Sequence, residues 1–288
     1  MNLLLIGTSV EDYIYIDGNV IHKGGGILYS TAALVSFVDE VILYLLTNIS
    51  KDTEQLFNDI YSDVRNDFIE IKEKIPQIHL KLYKDKERDE EYKNLSNKLN
   101  IIEKEIKFNH FDGILINMIT GFDIDLKDLK YIRENYNGII YMDVHSLARG
   151  LNENLGRPFK KIENFDKWLR NIDILQVNES EIQQISKYDN VEKIIPCVFE
   201  CGTKIVVLTL GEKGSIIYEN NGNVYNISAY KTTSNNTVGC GDTYGALFFY
   251  HYLKTNDIKE AAKIASKGAA IITNYKEIIE FKRLKYEL

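Results

Sequence analysis

The segment Asn236-Thr237-Val238-Gly239-Cys240-Gly241-Asp242-Thr243-Tyr244-Gly245-Ala246 concentrates the residue types that could do chemistry. Two glycines within three positions allow a tight turn and a close approach of a ligand to backbone N–H groups. An almost wholly apolar stretch, Ala246 to Leu253, follows and predicts a buried helix. The start of such a helix points unpaired N–H groups and a positive dipole end at a sheltered site, which suits an anion such as a phosphate group. Asp242 beside that anion site could take the proton of an attacking hydroxyl. The same residues also suit a plain turn, since Asp is a favoured helix cap and Gly-x-Gly commonly precedes helices. Two other phosphate-binding patterns are absent. No G-x-x-x-x-G-K-[ST] occurs, and Gly239-x-Gly241-x-x-x-Gly245 has the wrong spacing for a dinucleotide turn.

These residues need a scaffold, and the rest of the chain predicts one. Short apolar runs at Leu3 to Ile6, Val41 to Leu46, Gly113 to Ile116, Ile139 to Met142, Ile172 to Val177 and Lys204 to Leu208 read as buried strands. Helical spacing follows at Ile27 to Val38, Thr53 to Tyr61 and Leu126 to Asn135. That alternation predicts an α/β fold, a doubly wound, mainly parallel sheet with helices on both faces. Two stretches break the rhythm. YIYIDGNVI, from Tyr13 to Ile21, reads as a hairpin around an Asp-Gly turn, and Gln77 to Tyr92 reads as a strand, a charged turn and a second strand. Together, at about 13–23 and 77–95, they predict a small β-flap or lid on a single domain spanning 1–288.

In order along the chain, these motifs resemble the ribokinase-like (PfkB) carbohydrate kinases. The segment around Thr237, Gly239, Gly241 and Asp242 is similar to that family's C-terminal Asp-Thr-x-Gly-Ala-Gly-Asp signature, with Asn236 in place of the first Asp and Cys240 in place of Ala. Gly7 and Asp12 resemble its G-x4-D, whose Asp binds acceptor hydroxyls. Gly25 and Gly26 resemble its Gly-Gly turn, and Ser30 stands where the family often has Asn. Asn178 and Glu181 resemble its Asn-x-x-Glu, which holds Mg²⁺ and phosphate through water. Thr209 and Gly211 resemble its nucleotide-binding Thr-x-Gly turn, Gly268 on the penultimate helix is a further nucleotide candidate, and Arg88 resembles a recurring Arg of the flap.

The resemblance implies an ATP- and Mg²⁺-dependent kinase that phosphorylates a hydroxyl of a small sugar. Asp242 would be the general base and the Gly239, Cys240 and Gly241 amides the anion hole. Phosphoryl transfer fits such a site, because it needs positioning and charge neutralisation more than covalent help. Many relatives hold a monovalent cation through the Asp that Asn236 replaces; an amide keeps the oxygen and loses the charge. Two other readings stand beside this one. A nucleoside could be the acceptor, with Tyr13, Tyr15 and Tyr29 stacking on its base. Alternatively, the chain could be an idle ligand-binding homologue. A homodimer through the flap edge is a further expectation.

Composition narrows the rest. With 44% hydrophobic and 27% charged residues the chain can build a large core. A net charge of -7 argues against coating nucleic acid or anionic lipid, and no run approaches a membrane span. Three cysteines cannot all pair, which suggests a reducing, cytoplasmic setting. Cys197 and Cys201 share a helix face and read as thiols rather than a metal pair, since no second Cys or His pair lies near. Asp143-Val144-His145 closes a strand, where α/β proteins place ligand groups, and also suits loop capping. Trp168 reads as core.

Overall fold

Leu3, Leu4, Leu5 and Ile6 are all fully buried, which requires cover on both faces of the strand they form. In the computed structural model, which describes residues 1–16, 18–81, 89–95, 98–232 and 236–288, that cover is two layers of helices. With strands numbered in chain order, the larger sheet contains β1 Asn2–Ile6, β4 Ile42–Ser50, β5 Ile69–Lys72, β8 Gly113–Asn117, β9 Ile139–Asp143, β10 Ile174–Asn178, β11 Ile205–Thr209, β12 Ser215–Glu219 and β13 Val224–Ile227. The smaller one contains β2 Ser9–Ile16, β3 Asn19–Gly26, β6 Gln77–Lys81 and β7 Asp89–Lys93. The helices are α1 Ile27–Val35, α2 Asn58–Tyr61, α3 Leu126–Asn135, α4 Phe165–Leu169, α5 Val191–Glu200, α6 Cys240–Thr255, α7 Ile258–Ile272 and α8 Leu284–Glu287.

The larger sheet runs β13-β12-β11-β10-β9-β8-β1-β4-β5, parallel from β11 to β5, with β12 and β13 antiparallel at one edge. Strand periodicity divides its side chains between two cores. Leu3, Leu5, Leu115 and Val207 pack with Ile27 and Leu28 of α1, Leu247 of α6 and Ala262 of α7. Leu4, Ile6, Ile116 and Val206 pack with Leu129 of α3, Trp168 of α4 and Ile194 of α5. The doubly wound reading therefore holds, and Trp168 is a core residue. Strand order reverses about β1, whose neighbours are β4 on one side and β8 on the other. Ligands of open α/β sheets bind outside the carboxyl ends of strands at such a point.

The flap segments become the four-stranded sheet, in the order β3-β2-β6-β7. Its inner face carries Ile14, Ile78, Leu80 and Tyr92, all buried in the α1 core. Several boundaries move from the expectation. The hairpin is longer than Tyr13 to Ile21, because its ladder continues from Ser9 to Gly26. α1 stops at Val35, and Val38 is exposed in the turn that follows. The expected helix from Thr53 to Tyr61 is a 3₁₀ turn, Glu54–Leu56, followed by the short α2. α6 starts at Cys240 rather than Ala246, which places Asp242 inside its first turn. β5, β12 and β13 complete the sheet edges. The cysteines are unpaired, and among the described residues no helix is long and apolar enough to cross a membrane.

Candidate active site

α6 begins with Gly239 at φ 82°, a left-handed conformation that glycine adopts without strain. A Cβ there would lie 2.5 Å from Cδ1 of Tyr29, so the position also needs glycine for space. The next three residues form the first turn. The Cys240 N–H donates to the Thr237 carbonyl at 3.2 Å. Among the described residues the N–H groups of Gly239 and Gly241 meet no acceptor, as the first turn of a helix leaves them. The cradle in this structure therefore offers Gly239 and Gly241, and the Cys240 amide, expected as a third donor, is occupied by the turn. The Cys240 side chain turns away, with Sγ donating to the Ala269 carbonyl at 3.4 Å. Burial, with a smaller contribution from the Asp242 charge, pushes that thiol up to about 12.

Asp242 is 8% exposed. Nδ2 of Asn117, the last residue of β8, donates to its Oδ1 at 2.9 Å and to Ser30 Oγ at 2.9 Å. Ser30 Oγ in turn donates to the Asp242 carbonyl at 3.2 Å. Ser30, expected at the acceptor, is thus a strut between α1 and α6. Behind the turn, Gln176 of β10 donates from Nε2 to Asp143 Oδ2 at 2.9 Å and to the Gly241 carbonyl at 3.1 Å, and its Oε1 accepts from Tyr141. Gly245 lets α6 approach this pair, since a Cβ there would lie 2.7 Å from Gln176 Oε1. Asp143 is 4% exposed and its carboxyl is pushed well above the usual range, first by burial and then by the charges of Glu181 and Asp242.

Glu181 and Asn178 close on each other at the end of β10. The Asn178 N–H and Nδ2 donate to the two carboxylate oxygens at 3.0 and 2.8 Å, and Asn178 Oδ1 accepts from the Glu181 N–H at 2.9 Å. Thr209 ends the adjacent β11, and Gly211 follows it at φ +58° with open space where a Cβ would be. Gly268 faces α6 instead, where a Cβ would meet Leu247 Cδ1 at 2.1 Å. Asn236 is half-buried, four residues before the start of α6.

On the small sheet, Asp12 is 3% exposed and lies against Gly25, where a Cβ would come within 2.0 Å of its Oδ2. Gly26 has φ +68°, and a Cβ there would lie 2.3 Å from the Thr8 carbonyl. Tyr29 connects the two halves of the site. Its hydroxyl donates to Asp12 Oδ2 at 3.4 Å while its ring borders Gly239. Tyr13 and Tyr15 are on the opposite face of β2 from Asp12, stacked with His22 and His79, so the expectation of three tyrosines near the acceptor reduces to Tyr29. Arg88 lies outside the described residues. Sequence reasoning passed over Asn117 and Gln176; the available signal was a polar residue within or ending an apolar strand run.

A profile of the family described as pfkB family carbohydrate kinase matches residues 143–282. A 5-dehydro-2-deoxygluconokinase of Bacillus licheniformis is 30% identical over 97 residues, covering 34% of this chain and 30% of that protein. The chain thus spans less than a third of the length of that curated relative. Among solved structures, a pyrophosphate-dependent kinase of the ribokinase family, complexed with a pyrophosphate analogue and myo-inositol, aligns at TM-score 0.79 and 17% identity over 99% of each chain. The ribokinase of Thermotoga maritima aligns at 0.76 and 17% identity, over 99% of this chain and 98% of its own.

Proposed function

The chain belongs to the ribokinase-like PfkB family of carbohydrate kinases, and from that premise we propose that it transfers the terminal phosphoryl group of ATP to a hydroxyl of a small sugar or polyol. The observation that carries this reading is the placement of Asp242. It is the third residue of α6, directly after the Gly239 and Gly241 amides, with Oδ1 held by Asn117. In the proposed step the acceptor hydroxyl gives its proton to Asp242, its oxygen bonds to the γ-phosphorus, and the β,γ-bridging bond breaks to release ADP. The two glycine amides meet the equatorial charge as it develops.

A divalent cation could be held here only through water, because among the described residues no group of three metal-ligating side chains comes together. Glu181 is 7% exposed, and the charges of Glu181 and Asp242 both reach the buried Asp143, so this end of the sheet carries a negative surplus. Glu181 and Asn178 are the residues that would hold Mg²⁺, through water, and the metal would supply neutralisation of phosphate charge. Thr209 and Gly211 flank the donor side. Asp12, Gly25 and Gly26 hold the acceptor, with the small sheet covering it and excluding water. Asn236 supports at most a weak monovalent-cation site, because its amide brings no charge.

The sugar reading is preferred to a nucleoside because only Tyr29 among the three tyrosines reaches the acceptor side. Activity with ribose, fructose, myo-inositol and adenosine, each tested with Mg²⁺ and either ATP or pyrophosphate, fixes acceptor and donor together. Asp242→Asn should reduce turnover by about 10²–10⁴-fold, the range of general-base catalysis, while ATP binds with unchanged affinity. A variant that keeps more than a few per cent of the wild-type rate removes Asp242 from this role.

A further inference from the structure

Lys23 is a charged residue that the reaction described above leaves without a task. It lies in β3 directly across from Asp12 of β2, so the two side chains leave the same face of the small sheet. That is also the face of Gly25. The lysine is half-buried, and its Nζ sits 5.4 Å from the centre of the Tyr29 ring. Among the described residues it makes no ion pair and no side-chain hydrogen bond. Burial pulls its ammonium below the usual lysine range, while the charges of Asp12 and Glu277 act in the opposite direction.

A sheltered ammonium without a hydrogen-bond partner is costly unless something arrives to accept from it. Its surroundings identify that partner. Tyr29 lies beneath it, donates to Asp12 and borders Gly239, so Lys23 faces the same space as the acceptor end of the site. Cross-strand neighbours place their Cβ atoms about 4.5–5.5 Å apart, which sets an acceptor group, Asp12, beside a donor group, Lys23. Adjacent hydroxyls of a polyol match that pair. One donates a hydrogen bond to the carboxylate, and its neighbour accepts one from the ammonium. A carboxylate on the ligand matches it less well, because Asp12 and Glu277 already supply two negative charges around one positive charge.

We propose that Lys23 determines acceptor specificity, donating to the hydroxyl next to the one held by Asp12 and so selecting a neutral polyol with two adjacent hydroxyls. This rests on the kinase reading, which places the acceptor at Asp12. The test compares wild type with Lys23→Met and Lys23→Arg on ribose, fructose, myo-inositol and gluconate. Lys23→Met should raise KM for the best neutral acceptor roughly 10–100-fold, the range of a hydrogen bond to a charged group. KM for the phosphoryl donor stays unchanged, kcat moves less than KM, and Lys23→Arg recovers part of the loss. Among monodeoxy analogues of that acceptor, one should be handled equally by wild type and Lys23→Met, because it lacks the hydroxyl that the lysine meets.

An unchanged KM in Lys23→Met overturns the proposal. So does an equal KM rise for every analogue, which would mark a packing role, and so does a wild-type preference for gluconate. Wild type without turnover on any acceptor counts against the kinase reading instead. Lys23 is then judged by thermal shift with the same polyols: stabilisation lost in Lys23→Met supports its contact, and equal responses in the two proteins overturn it.

Discussion

The two carboxylates that bound the proposed acceptor space, Asp242 and Asp12, are held in different ways. Asp242 belongs to the body of the molecule. Its helix is buried without interruption from Asp242 to Tyr250; its carboxylate Oδ1 accepts from Asn117 of β8, and its main-chain carbonyl accepts from Ser30 of α1. Three elements thus fix one group, as a reaction sensitive to displacements of about 1 Å requires. Asp12 rides on a four-stranded sheet and lies against Gly25, where the backbone carries no side chain. The Tyr29 hydroxyl donates to it, and Lys23 stands opposite it across the strand pair. On the proposed reading, the body end serves the chemistry and the small-sheet end the recognition. Damage at the first should appear in kcat, and damage at the second in KM.

Paired glycine substitutions put the largest strain on that contrast. Gly239→Ala adds a Cβ 2.5 Å from the Tyr29 ring at a positive φ, and Gly25→Ala adds one 2.0 Å from Asp12 Oδ2. The first should lower kcat by roughly 100-fold, comparable to losing one anion-hole donor, with acceptor KM nearly constant. The second should raise acceptor KM by a comparable factor and spare the donor's. If both variants move the same parameter, the division between the ends is wrong. A smaller effect sharpens it. Asn117→Leu removes the donor to Asp242 and Ser30 and should cost kcat roughly 10–50-fold, a charged hydrogen bond's worth, with acceptor binding unaffected in calorimetry.

How legible these ends were follows from what a linear pattern can carry. The parallel strands were readable because burial on both faces leaves continuous apolar runs such as Leu3 to Ile6. The start of α6 was not, since Cys240 and Gly241 read as turn residues. Gly241 is tolerable there because the first turn needs no N–H bond to a preceding carbonyl. Asn117 and Gln176 escaped notice for a different reason. Each is one polar residue in an apolar strand, and its partner is set by strand order, which brings β8, β9 and β10 side by side beneath α6. Lys23 lies within the expected flap segment at about 13–23, but its place opposite Asp12 is set by a ladder that runs from Ser9 to Gly26, which no local pattern carries. The facing of Tyr13 and Tyr15 also depends on that register.

The smallest effect tests the charge at the body end. Asp143 lies beneath the cradle, sharing Gln176 with the Gly241 carbonyl, and its carboxyl is raised by burial and by the charges of Glu181 and Asp242. A carboxyl raised in the folded state holds its proton more tightly there than in the unfolded chain. Its penalty is therefore absent below the unfolded value near pH 4 and grows as pH rises towards the folded value. Asp143→Asn removes this dependence at the cost of a weakened contact with Gln176. Relative to the variant, wild type should be most stable at about pH 4 and lose ground steadily towards neutrality, by a few degrees in melting temperature. Because the penalty draws on the Glu181 and Asp242 charges, Mg²⁺ should narrow the gap at neutral pH. A difference independent of both pH and Mg²⁺ would mean that Asp143 only packs, and that the negative surplus assigned to this end is not what its buried carboxylate feels.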